Sequence, residues 1–87
     1  MHKNALQYKL KALAMWQSLH RNENHPQVAL LLGSVGTAYD AVKEYHSSLE
    51  YRLLALKMWR NLHSDDHPDI ASSLNSVGEA YEQLRQH

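Results

Sequence analysis

The feature that most constrains this chain is that most of it occurs twice. The stretch His25 to Tyr39, opening His-Pro and closing Val-Gly-Thr-Ala-Tyr, recurs 42 residues later as His67 to Tyr81, closing Val-Gly-Glu-Ala-Tyr. The segment ahead of it recurs with an offset of 43. Leu6, Tyr8, Leu10, Ala12, Leu13, Met15, Trp16, Leu19 and His20 return as Leu49, Tyr51, Leu53, Ala55, Leu56, Met58, Trp59, Leu62 and His63. A fixed period in this range marks a repeat architecture, in which each unit buries its apolar face on a neighbour.

Periodicity within each copy is helical. At 100° per residue, Leu6, Leu10 and Leu13 form one stripe of a helix over 3–21, and Tyr8, Ala12, Met15 and Leu19 form another, with Trp16 between them. Only Gln7, Lys11, Ala14 and Ser18 make a clearly polar or small strip, so this helix is expected to pack on two sides. Arg21-Asn22-Glu23-Asn24 is a polar turn, and Pro26 fits the first position of a second helix over 26–42, where its missing N–H costs nothing. Val28, Leu32, Val35 and Tyr39 share one face of that helix. Gly36 lies among them and recurs as Gly78, which points to close helix approach rather than a weak spot. A third helix over 46–63 repeats the first, with Ser47 and Glu50 spaced as a capping box. After Ser64-Asp65-Asp66-His67, a fourth over 68–85 repeats the second. The expected class is all-α, a single repeat domain over 1–87. The joint at 41–47 has no Gly or Pro, so a turn there and one continuous helix over 27–63 are both open.

Bulk properties exclude several functions. The formal charge is zero and Lys and Arg are interspersed among Asp and Glu, so the basic stripe needed to neutralise phosphates is missing and nucleic acid is not an expected partner. No apolar run approaches a membrane span, the start Met1-His2-Lys3-Asn4 does not read as an apolar signal region, and there is no cysteine. A soluble cytoplasmic protein is the expectation. A core of 87 residues is small, so association would help it.

Candidate chemistry is thin. His63 and His67 are spaced like metal ligands, but His67 is accounted for by the helix start and the equivalent pair, His20 and His25, has a different gap. No metal and no cofactor is expected. Asp65-Asp66 suits a helix N-terminus, and His46 beside Ser47 has no third group to orient it, so no enzyme is expected. Trp16 and Trp59 fall inside the apolar arcs and are read as core. Leu30 and Leu31 stand where the second copy has Ser72 and Ser73, so the first copy carries extra apolar surface, read as an oligomer contact or part of a partner groove.

The His-Pro start, Leu32, Val35-Gly36, Tyr39, Tyr45 and Ala55, then Leu74, Val77-Gly78 and Tyr81, resemble the tetratricopeptide repeat, in the 42-residue variety of kinesin light chains. The resemblance covers nearly the whole chain. It implies antiparallel pairs of A and B helices stacked into a right-handed superhelix that binds peptides or proteins. The His-Pro helices are then A helices and the Tyr/Leu/Met/Trp helices B helices, in the order B-A-B-A. Two positions depart from the family. Its helix-ending glycine is replaced by Lys43 and Arg85, and its aromatic three residues before Ala55 by Arg52. A non-glycine residue in the left-handed conformation costs about 1–2 kcal/mol. A continuous helix through Lys43 would favour a swapped dimer.

By the same resemblance a peptide groove is lined by Leu30, Gly33, Thr37 and Asp40 in the first repeat and by Ser72, Asn75, Glu79 and Glu82 in the second. The acids among them would favour a basic or polar ligand, with Asn75 placed to bond a ligand backbone. In this frame the first B helix lacks its A and the last A helix lacks its B. Leu30, Leu31, Val77, Tyr81 and Leu84 are therefore expected to join copies as a closed dimer or a head-to-tail string. The expected function is a non-catalytic protein-interaction scaffold that self-associates. The other reading is a purely structural fragment or engineered repeat whose only ligand is itself.

Overall fold

The computed structural model describes residues 2–86, and among them it is all-helical: α1 (His2–Leu19), α2 (Pro26–Ala41), α3 (Tyr45–Leu62) and α4 (Pro68–Gln86). No strand occurs among the described residues. Neighbours in sequence are neighbours in space, with α2 packed on α1 and α3, and α3 packed on α2 and α4. The body measures 34 × 28 × 15 Å, a thin stack of helices compatible with a helical repeat.

Both His-Pro helices open the same way. His25 is extended (φ −152°, ψ 137°) and its ring Nδ1 accepts the N–H of Gln27 at 3.1 Å, one of the donors that the first turn leaves unpaired. His67 repeats this, its Nδ1 accepting the N–H of Asp69 at 3.0 Å. Each histidine carbonyl then accepts the first helical bond, from Ala29 and from Ala71.

The joint at Lys43 is a turn, and the single helix over 27–63 does not form. Glu44 N–H donates to the Tyr39 carbonyl at 2.9 Å and Lys43 N–H to the Asp40 carbonyl at 2.9 Å, the bond pair of a Schellman motif. Lys43 takes the left-handed position of that motif with φ 65°. The carbonyls of α2 are thus satisfied although the residue there carries a Cβ. α3 begins at Tyr45 with Glu44 as its cap residue and no side-chain cap bond. Ser47 therefore lies inside the first turn, and the capping box expected of Ser47 and Glu50 is not made.

The same motif ends α1, at Leu19 rather than at 21. Arg21 (φ 54°) and Asn22 (φ 61°) are both left-handed, and Asn22 N–H reaches the Gln17 carbonyl at 2.8 Å. α3 instead ends on extended His63 (φ −122°). This difference absorbs the extra residue in the first loop, which is why the two halves repeat at 43 and then at 42.

Leu13, Val28, Leu32, Val35 and Ala55 form the core, with Leu6, Leu10, Trp16, Leu31, Tyr39, Tyr51 and Met58 packed around them. The two-sided packing expected of the B-type helices holds for α3 and not for α1. Tyr51 and Met58 are half-buried, while their counterparts Tyr8 and Met15 are 70 % and 67 % exposed. On the A-type helices, Leu32 is 3 % exposed and its counterpart Leu74 is 47 %. Val77, expected to lie uncovered, is buried, because α3 covers that side of α4.

Replacing Lys43 by Gly removes the left-handed penalty without touching a packed side chain, since Lys43 is exposed. The expected gain is about 1 kcal/mol, read as a higher midpoint in urea unfolding with unchanged helix content.

Candidate functional site

The centre of the molecule is an arginine. Arg52 lies on the α3 face that meets both A-type helices, and is 6 % exposed. Its Nη2 donates to Asp40 Oδ2 on α2 at 2.5 Å, and its Nη1 donates to the Ser76 carbonyl on α4 at 2.8 Å. Glu79 Oε1 on α4 stands 3.7 Å from Nη1. One side chain thus ties three helices together. The Asp40 contact is single-pointed, leaving Arg52 Nε and Asp40 Oδ1 without hydrogen bonds.

Gly36 makes room for that side chain. A Cβ there would fall 2.7 Å from Arg52 Cγ and 3.2 Å from the Ser48 carbonyl oxygen. The role read for Gly36 from its recurrence is therefore met by Arg52. Gly78 has no heavy atom within 4 Å of the same position, so the second glycine has room and no occupant. Beside the ion pair, Tyr39 and Tyr51 stack at 5.3 Å between centroids. Burial first, and then Tyr51, push the Tyr39 phenol above its ordinary pKa.

The expected groove residues divide into two ends. Leu30, Gly33 and Ser72 line a shallow apolar groove between α2 and α4, floored by Ala55 and Trp59. Asp40, Glu79 and Glu82 line a polar cleft with Arg52, Gln83 and Gln86. Thr37, whose hydroxyl bonds the Gly33 carbonyl at 3.3 Å, lines neither, and nor does exposed Asn75. Asp40 cannot serve as a free ligand acid, because Arg52 holds it. Of the residues expected to join copies, Leu30 (58 %) and Tyr81 (55 %) are exposed. Leu31 and Leu84 are half-buried, Leu31 against the core, and Val77 is buried, so these three offer little or no free surface.

Sequence reasoning missed a stacked aromatic column in each half. Trp16, His20 and His25 stack with centroids 5.4 and 3.6 Å apart, and Trp59, His63 and His67 with 5.5 and 3.5 Å. The unequal gaps in sequence give the same stack because the left-handed pair at Arg21 and Asn22 takes up the difference. Both tryptophans serve packing, Trp59 buried and Trp16 half-buried against the core. The common order Trp, His, His in both copies was the available signal.

In the second column His63 Nε2, His67 Nδ1 and Asp69 Oδ2 lie within 4.8 Å of one another. The geometry suits a helix cap better than a cation. His67 Nδ1 already accepts the Asp69 N–H, and the two rings face each other with planes 6° apart. Ring lone pairs lie in the ring plane, so those of two stacked rings do not converge on one ion. His63 Nε2 meets Asp69 Oδ2 at 3.1 Å, and the first column has Gln27 where Asp69 stands.

Comparison with protein-family models, with curated proteins and with solved structures finds no match for this chain. No helix among the described residues is long and apolar enough to cross a membrane.

Two substitutions measure the weight of the arginine. Asp40→Ala leaves the buried cation with only the looser Glu79 contact as counter-charge and is expected to cost about 3 kcal/mol, whereas adding Arg52→Met recovers most of it, as read by urea unfolding of both variants. Gly36→Ala forces the Arg52 stem aside and costs about 1–2 kcal/mol by the same measurement, although alanine is the better helix former.

Proposed function

We propose that this chain is a non-catalytic interaction scaffold of tetratricopeptide-like repeats, and that its first association is with itself. The observation that carries the reading is where apolar surface remains. Tyr8, Met15 and Leu19 on α1 are 67–70 % exposed, and Leu30 and Tyr81 are 58 % and 55 %, while Tyr51, Met58 and Leu62, the α3 counterparts of the first three, are half-buried. Tyr8, Met15 and Leu19 share one face of α1 at helical spacing, and water-facing apolar side chains gathered in this way mark an interaction surface rather than scattered exposure. The B-A-B-A assignment is supported by the alternation of His-Pro helices with Trp-His helices and by the pairwise packing along the chain.

A peptide is the other ligand the scaffold would take. Glu82, and Glu79 whose contact with Arg52 is a loose 3.7 Å, both on the exposed side of α4, favour a basic one, and the shallow grooves favour low affinity.

Molar mass by light scattering, followed through serial dilution with circular dichroism in parallel, tests the reading. A species larger than the 10.0 kDa chain that loses helix as it dissociates is the expected result. A monomer at every concentration, with full helix, overturns self-association. Weak binding of basic peptides that falls on Glu79→Ala is the expected result for the groove, and binding unaffected by that change removes it.

A further inference from the structure

The outward faces of α1 and α4 correspond, position by position, to two faces that already pack together inside the chain. On α3, Tyr51 stacks on Tyr39 and Arg52 pairs with Asp40, both partners lying on α2. The repeat offsets carry Tyr51 and Arg52 back to Tyr8 and Lys9 on α1. They carry Tyr39 and Asp40 forward to Tyr81 and Glu82 on α4. Every chemical type is kept: aromatic for aromatic, cation for cation, acid for acid.

None of these groups meets its repeat-equivalent partner in the single chain, and among the described residues the Tyr8 ring has only the Lys11 Nζ over it, 5.7 Å from the centroid. Tyr8 is 70 % and Tyr81 55 % exposed. Neither Lys9 nor Glu82 takes part in an ion pair among the described residues. The glycine notch is repeated as well: Gly36 receives the Arg52 stem, and Gly78 faces open space.

We propose that a second copy of this chain supplies the missing partner, α1 of one copy packing on α4 of the next in the register of the α3–α2 contact. Lys9 pairs with Glu82, Tyr8 stacks on Tyr81, and the Lys9 stem enters the notch at Gly78. This rests on the self-association reading above and adds its faces, register and ion pair. The charge pair argues for a copy of this chain as the occupant, since Lys9 on α1 is the cation that Glu82 on α4 is without. Because α1 and α4 stand at the two ends of the packing order α1–α2–α3–α4, the contact runs head to tail and builds closed rings or open strings.

The test is sedimentation velocity of the whole chain at low salt through a dilution series, for the parent and for Lys9→Glu, Glu82→Lys, the double variant and Gly78→Ala. Each charge reversal is expected to weaken association by about tenfold, and the double variant to return it to within about threefold of the parent. Circular dichroism of the dilute chain should be unchanged by either reversal, because neither side chain is paired within it. Gly78→Ala should raise the melting temperature of the dilute chain, alanine being the better helix former, while weakening association. A parent that is monomeric throughout overturns the self-association reading and this register with it. A parent that associates, with affinity untouched by the reversals or by Gly78→Ala, overturns the register alone.

Discussion

The arrangement depends on a buried arginine. Arg52 carries a charge into a position 6 % exposed, which is tolerated only if the charge is paired and its donors are used. Asp40 supplies the counter-charge from α2 and the Ser76 carbonyl accepts a second donor from α4. Apolar burial is non-directional and would accept several slides of α3 along its neighbours. The hydrogen bonds to Arg52 accept far fewer. Gly36 belongs to the same device, since a side chain there would occupy the path of the arginine stem. Helix spacing, register and the ion pair are thus one constraint, and the leucines and alanines around it fill the space that it defines.

The second constraint is at the helix ends. A histidine serving as cap is unusual among residues that favour that position. Here the ring does two things at once. Its Nδ1 takes an orphan N–H of the new helix, and its face stacks on the histidine that ends the previous one, which in turn stacks on tryptophan. The column fixes the angle at which the chain leaves one helix and enters the next. Its reappearance across loops of different length shows that the stack sets the connection, with Arg21 and Asn22 adapting in left-handed conformations.

Much of this was legible in the residues. Apolar spacing located all four helices to within about two residues at each end, the usual looseness of such boundaries. The His-Pro starts were visible because proline has few places to go, and Gly36 because it recurs. What escaped were matters of partnership. Arg52 stood out only as a missing aromatic, since nothing in a helical wheel connects it to Asp40 on a different helix. Lys43 left the turn undecided, because propensity argued against a left-handed lysine while the Schellman hydrogen bonds and the packing of α3 on α2 argued for it. Packing prevailed over propensity. Val77 departs for a related reason: with no following helix it is expected to lie bare, whereas α3, already packed on α4, buries it.

The pair Met15 and Met58 shows where reading of this kind stops. The two residues occupy equivalent positions in nearly the same local sequence, yet one is 67 % exposed and the other packs on the core. Nothing local distinguishes them. What differs is whether an A-type helix lies on that side, and that is a property of the stack rather than of the segment. The same holds for Gly36 and Gly78, one filled by arginine and one facing open space. In a repeat, each interface is encoded twice, once on each face, so an uncovered face keeps the chemistry of the contact it would make. Tyr8 and Lys9 carry the pattern of Tyr51 and Arg52 as plainly as if α2 had a counterpart beside them. The surface of such a molecule therefore has to be interpreted through its own interior, where the complementary half of each exposed face is already on display.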